Sequence, residues 1–435
     1  MDEAPGRPDL QPWVMGDHHG LALPATPAAL RAGGPEWLTR ALHAGGVLAA
    51  GNRVTAITRL DEWPVGGTGT KAMLSLAYAQ PQPGLAPDLF VKFSRNATDP
   101  VRDRVRWYME PEVRLALLSR DPAFPVAVPA CLHADYHRAS GTGLIISERI
   151  AYGEGAVEPH WPKCMDHRLP DALAHYEVLV ATLAHLSGTH RSGRLAAIER
   201  AFPFDREQAL AARRGRHDSA ALAERIGRMA QFITRHPHLF PAHLADPAFL
   251  AGLCADAPLA VTHQDAIARF QLSAPEMIAL CHWNANIDNA WFWRNPAGAL
   301  NCGLIDWGAV GQMPVAGALW GALSACEADL LDDHLAALVA LFAEHYARAG
   351  GPRLDPDLLQ RHVDLAVIGT ACVVLATAPR AILSEIPDPA LLASRHDPAL
   401  DAHETARVQL KIAVNCLNLW HRRDLGGLLR SGRFA

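Results

Sequence analysis

The sequence predicts an α+β protein of two lobes, a small antiparallel-sheet lobe followed by a large, mainly helical one. Three observations predict it. Short, alternating, β-branched segments joined by turn residues crowd the stretch up to residue 150. Apolar residues at helical spacing dominate after it. One β-like island, residues 279–308, interrupts the helical half and gathers polar side chains.

The elements follow in order. Residues 1–34, rich in Pro, Gly and Ala, read as an irregular extension. Residues 35–150 form the first lobe. Its PEWLTRALHAG, residues 35–45, reads as a short helix that stops at Gly45. NRVTAITRL, TKAMLSLAYA and PDLFVKFSR then make an antiparallel meander, separated by Gly and Pro turn chemistry. MEPEVRLALLSR, residues 109–120, is a helix opened by acidic residues. ACLHADYHR and TGLIISERI flank the turn ASG and form a hairpin. Residues 151–435 form the second lobe. There DALAHYEVLVATLAHLSGTH, REQALAARRGRHDSAALAERIGRMAQFI, DDHLAALVALFAEHYARAG and TARVQLKIAVNCLNLWHRR all carry helical periodicity.

Composition narrows the function classes. Half of the 435 residues are apolar and 20% are charged, which is ample for a sizeable core. The net charge is −5 and no basic run appears, which argues against a nucleic-acid partner. MDEAPGRPDL at the start has no apolar core and does not read as a signal peptide. The longest apolar run, LAVIGTACVVLATA at 365–378, is too short to span a bilayer and reads as a buried helix, so no membrane partner is expected. Eight scattered cysteines with no C-x-x-C pair fit reduced thiols in a cytoplasmic protein.

The island CHWNANIDNAWFWRNPAGALNCGLIDWG carries the chemistry. His282, Asn284 and Asn289 come first, then a strand-like AWFW and a turn NPAG. A second short strand runs into Ile305-Asp306-Trp307-Gly308. Such a hairpin delivers Asn289 at one end and Asp306 at the other, a few ångströms apart. Two hard oxygen donors placed so suit the metal ions that bridge nucleotide phosphates. Lys92 lies inside the apolar strand FVKF, where a lysine needs an anion to be tolerable.

These residues resemble the aminoglycoside phosphotransferase and choline kinase-like family, which shares the protein kinase fold. Its loop is H-x-D-x-x-x-x-N, followed by I-D-[WF]-G or a near variant. PEWLTRAL, the GGTGTKAMLSLAY hairpin and the long C-terminal half look most like its ecdysteroid kinase-like branch, and the resemblance spans about residues 35–350. It implies phosphorylation of a small-molecule hydroxyl with ATP and Mg²⁺. Asn289 and Asp306 would hold the metal, and His282 would support the loop. Lys92 would orient the phosphates, braced by Glu112 or alternatively Glu110. VGGTGT at 65–70, with Gly67 and Gly69, would cover the nucleotide. The segment Ser147–Ile150, with Glu148, would border the adenine.

Two positions depart from the family pattern. Its catalytic aspartate falls on Asn284, and an aspartate that steadies the loop falls near Gly317. An amide accepts a hydrogen bond from a hydroxyl but takes up no proton. Asp288, in the same loop, is a stand-in base or simply a turn residue. Two function classes therefore follow: a small-molecule kinase with Asn284 positioning the acceptor, or a nucleotide-binding pseudokinase acting as scaffold or sensor. Another transfer from ATP, such as adenylylation, is a third.

Other motifs read as structural. HQDA at 263–266 has its Asp265 too far ahead of Asp306 and reads as a helix start. HADYH at 133–137 has the spacing of a zinc pair, but on a strand His133, Asp135 and His137 share one face, read here as solvent-facing. Trp291, Phe292, Trp293 and Trp307 pack the island onto the helical lobe, while Trp283 is a possible stacking platform beside Asn284. The acceptor, the choice of ATP over GTP and the oligomeric state are not set by the sequence.

Overall fold

The computed structural model of the chain describes residues 10–63, 68–212 and 218–434. It forms two compact units. The first runs to Tyr152 and takes in Leu304–Val310; the second comprises Gly153–Gly303 and the chain from Gly311 onward.

The first unit contains strands β1 (Trp13–Met15), β2 (Ala22–Pro24), β3 (Val54–Trp63), β4 (Thr70–Tyr78), β5 (Asp88–Phe93), β6 (Cys131–His137) and β7 (Thr142–Glu148). Its helices are α1 (Pro27–Ala44), α2 (Pro100–Arg104) and α3 (Met109–Leu118). The predicted meander and hairpin join into one five-stranded antiparallel sheet of order β3-β4-β5-β7-β6. Strand alternation divides its side chains between two helices. Val91 and Ile146 pack with Trp37, Leu38 and Leu42 of α1, whereas Ile145 packs with Met109 and Val113 of α3.

The irregular extension expected over residues 1–34 is corrected for residues 10–34; residues 1–9 lie outside the described residues. Within it β1 pairs with β2, from Trp13 opposite Pro24 to Met15 opposite Ala22. The helix begins at Pro27 and not at Pro35. Thr26 caps it by accepting from the Ala29 amide at 3.2 Å, and Gly34, at φ 60, kinks it where the sequence reading placed its start. The Trp37 indole donates to the Ala22 carbonyl at 2.6 Å, which ties ribbon to helix.

The ribbon also overturns the solvent-facing reading of HADYH. His133 and Asp135 are fully buried. The turn after β1 lies over them, and Asp135 accepts from the amides of His18 and His19 at 2.8 and 2.9 Å. A Cβ at Gly16 would sit 2.3 Å from an Asp135 oxygen, so glycine is needed at this close approach. His133 lies between Trp37 and His19, with ring centroids 5.9 and 4.9 Å away.

A pH dependence follows. Burial, and next the neighbouring His19, press the His133 imidazole down to about 4, against about 6.5 in an unfolded chain. The unfolded chain thus binds the proton first. The contribution of neutral His133 is whole above pH 6.5 and is lost as pH falls towards 4. The gap corresponds to about 3 kcal/mol. Urea unfolding across that window is expected to show a shallower acid loss in His133→Leu than in wild type; parallel profiles would contradict this.

The second unit holds α4 (Ala172–Arg191), α5 (Ala196–Ala201), α6 (Arg206–Ala211), α7 (Ser219–Arg235), α8 (Pro247–Asp256), α9 (Leu259–Thr262) and α10 (Gln264–Gln271). These are followed by α11 (Val315–Leu323), α12 (Ala328–Arg348), α13 (Pro356–Glu385), α14 (Glu404–Arg422) and α15 (Leu425–Ser431). Short strands β8 (Ile278–Cys281), β9 (Ala290–Arg294), β10 (Leu300–Leu304) and β11 (Gly311–Pro314) make two small ribbons, β9 with β10 and β8 with β11. The helix containing the apolar run is longer than expected. α13 has 30 residues and is long and apolar enough to cross a membrane by length and composition alone, and half of its most apolar window is buried here. It packs on α7, α11, α12 and α14, which accounts for the apolar character of its buried half.

Candidate functional site

The first unit concentrates charge at the ends of β4 and β5. Lys92 donates to both Glu112 oxygens, at 2.9 and 2.7 Å, and to Asp306 Oδ1 at 2.5 Å. Lys92 and Glu112 are buried, whereas the Asp306 side chain is 39% exposed. Burial opposes the charge on Lys92, but Asp306 and Glu112 outweigh it and hold the ammonium above its ordinary range. Burial also pushes the Glu112 carboxyl upward against the pull of Lys92. Glu110, the alternative brace, instead pairs with Arg114 and Arg138.

Asp306 belongs with this cluster because Leu304–Val310 packs on the first unit. The Leu304 amide donates to the Ala127 carbonyl at 3.0 Å and the Ala309 amide to Tyr108 at 3.3 Å. The backbone is left-handed at Asp306 (φ 61) and at Ala309 (φ 58). Alanine adopts this conformation at a penalty of roughly 1–2 kcal/mol, which marks the segment as one held by its surroundings.

Gly69 closes the other side. It has φ +58, and a Cβ there would lie 1.9 Å from the Phe93 carbonyl, so only glycine lets this turn lie against the end of β5. A small recess between them is lined by Thr68, Gly69, Lys92, Ser94, Arg106 and Glu112, among others. Gly67 lies outside the described residues. Glu148 ends β7, exposed, with its amide donating to the Ala130 carbonyl at 2.9 Å; Ile150 follows, half-buried.

Sequence reasoning missed Lys71. It sits directly opposite Lys92 in the β4–β5 register, which puts both side chains on one face of the sheet. Burial, and next the Lys92 charge, lower its pKa. The signal was a lysine immediately after the glycine turn, legible only once the register is known.

In the second unit, the loop between β8 and β9 is knit by its own amides. The Asn284 amide donates to His282 Nδ1 at 3.3 Å, and His282 is buried. Asn286 Nδ2 donates to Asn284 Oδ1 at 2.8 Å, and Asn289 Nδ2 to the Asn284 carbonyl at 2.7 Å. Asp288 faces Lys163 at 3.8 Å, and its carbonyl meets His160 Nε2 at 3.1 Å. Gly317 meets nothing near the loop; the support comes one turn on. A Cβ at Gly321 would lie 2.0 Å from the Trp283 carbonyl, so α11 rests directly against the loop backbone. Trp283 itself is 47% exposed. Phe292 is buried against His175 of α4, and Trp291 stacks on Trp293 at 5.9 Å. Asp265 lies in the first turn of α10.

No family model matches the chain, and no curated protein does. Among solved structures it is similar to a choline kinase from Cryptosporidium parvum, with 14% identity, coverage of 84% of this chain and 91% of that one, and a TM-score of 0.42. An ethanolamine kinase of Plasmodium vivax gives 13% identity, 84% and 83% coverage and a TM-score of 0.40. A GDP complex of an aminoglycoside 2'-phosphotransferase gives 14% identity, 85% and 94% coverage and a TM-score of 0.39. At these scores the likeness assigns no family; the α+β class stands on the sheet and helices described above.

Proposed function

We propose that the protein transfers the γ-phosphoryl group of ATP to a hydroxyl of a small molecule, as a protein kinase-like phosphotransferase of the aminoglycoside phosphotransferase and choline kinase-like kind. The observation that carries this reading is the buried Lys92–Glu112 pair joined to Asp306 beside the Gly69 turn. A phosphate-binding lysine, its brace and a metal-binding carboxylate are the parts phosphoryl transfer requires.

Lys92 would hold phosphate oxygens, with Glu112 fixing its position. The Gly69 turn would let backbone approach the phosphates, and Glu148 to Ile150 would border the base. Following the resemblance, Asp306 and Asn289 would each offer an oxygen to Mg²⁺. One offers a partly exposed carboxylate. The other's Nδ2 is engaged by Asn284, which leaves its Oδ1 as the donor. Such hard oxygens suit this ion. When bound, the metal would draw charge from the phosphate oxygens. Asn284 would accept the hydrogen bond of the acceptor hydroxyl. The hydroxyl oxygen bonds to phosphorus as the bond to the bridging oxygen breaks. ADP leaves, and the hydroxyl proton passes to phosphate or solvent, or to Asp288 as the alternative base. A cytoplasmic setting belongs to the same proposal.

One observation favours a second reading, nucleotide binding without transfer: the Asn284 Oδ1 is already taken by Asn286. ADP release from Mg·ATP with a library of hydroxylated metabolites separates the two. Turnover by wild type supports transfer, and turnover gained only in Asn284→Asp shows that the amide disables it. Nucleotide-dependent stabilisation with no turnover in either supports binding alone.

A further inference from the structure

The geometry points to a transition-metal site of the zinc class, formed by His167, Glu327 and His396 on the second unit and independent of the proposed phosphotransfer. One ligand atom from each of the three lies within 4.8 Å of the others. His167 Nδ1 stands 3.9 Å from Glu327 Oε1, and His396 Nε2 stands 3.7 Å from Glu327 Oε2. The two imidazoles are 4.7 Å apart, centroid to centroid.

The donor set chooses the metal. Two imidazole nitrogens and one carboxylate suit a borderline ion such as Zn²⁺, whereas Mg²⁺ and Ca²⁺ take oxygens. Tetrahedral zinc bonds of about 2.0–2.2 Å put ligand atoms roughly 3.4 Å apart. The triad therefore closes on an ion by side-chain shifts of less than about 1 Å. Three protein ligands leave a fourth position for water.

The ligands come from segments far apart in the chain. His167 lies in the turn Asp166–Arg168, Glu327 is the residue that caps α12, and His396 lies between α13 and α14. The last loop is held in shape by Asp397, which accepts from the amides of Ala393 and Ala399 at 2.6 and 2.8 Å. A bound ion would tie the three segments together, coupling metal binding to stability. Buried Lys411 of α14 pairs with Glu327 Oε1, orienting the carboxylate with Oε2 towards His396. Its charge opposes a cation. Arg168, on the same turn as His167, is engaged by Asp401.

The test is titration of chelator-treated, full-length protein with Co²⁺, read by its visible absorption, with Zn²⁺ as competitor. One Co²⁺ per chain, displaced by Zn²⁺, is expected. Affinity should fall at least about tenfold in His167→Ala and in Glu327→Gln, and rise in Lys411→Met, which removes the competing charge. Zn²⁺ but not Mg²⁺ should raise the melting temperature. The chain has 22 histidines, so Co²⁺ binding that persists unchanged in His167→Ala overturns the proposal, as does no Co²⁺ absorption in wild type. His167 is exposed, so its variant keeps the fold; far-UV circular dichroism checks this.

Discussion

Asn284→Asp is expected to raise the rate of phosphoryl transfer about 10²–10⁴-fold, the usual worth of a positioned general base. The contacts around residue 284 are compatible with a carboxylate. The contacts that hold residue 284 in place run through its backbone, to His282 and from Asn289. Its side chain contributes one acceptor, Oδ1 to Asn286. Aspartate keeps that acceptor and adds a second oxygen that takes up the hydroxyl proton, which an amide does not. ATP hydrolysis with water as acceptor measures the effect before any metabolite is known. A variant no faster than wild type, folded and binding nucleotide, would show that deprotonation does not limit this protein.

Lys92→Met is expected to lower folding stability by about 3–5 kcal/mol, because it strands the buried Glu112 without its cation. Asp306, still beside it, then only repels. The carboxyl of Glu112 is already raised by burial, and losing Lys92 raises it further. A group with a raised folded pKa contributes fully at low pH and loses that contribution as pH rises. The deficit should therefore grow from pH 5 to pH 8. The double variant Lys92→Met/Glu112→Leu should recover most of it. Urea denaturation measures both. A single variant as stable as wild type would mean that the charges are not buried together.

Much of this was legible in the sequence, and the failures have physical causes. The meander, the hairpin and helices α3, α4, α12 and α14 were read correctly, since turn residues and periodicity are local signals. The β1–β2 ribbon was not, because three-residue strands carry no periodicity and this one is fixed by Trp37 and Asp135, distant in sequence. His133 and Asp135 were placed in solvent because alternation tells which residues share a face, not what covers it. The attachment of Leu304–Val310 to the first unit depends on backbone bonds to Ala127 and Tyr108, and Lys71 depends on register. No spacing rule carries such information. His282, Asn284, Asn289 and Asp306 stand out as candidates because their spacing is local, and Lys92 because a cation in an apolar strand is conspicuous.

The central claim is that Asp306 tethers a nucleotide through a divalent ion beside Lys92. Calorimetric titration of ATP into wild type and Asp306→Asn, with Mg²⁺ and with EDTA, tests it most directly. Asparagine tolerates the left-handed backbone at this position, so the fold is kept while the charge is removed. The account predicts binding at least about tenfold tighter with Mg²⁺ than with EDTA, and loss of that difference in Asp306→Asn. Equal affinity with and without Mg²⁺, unchanged by the substitution, would contradict it.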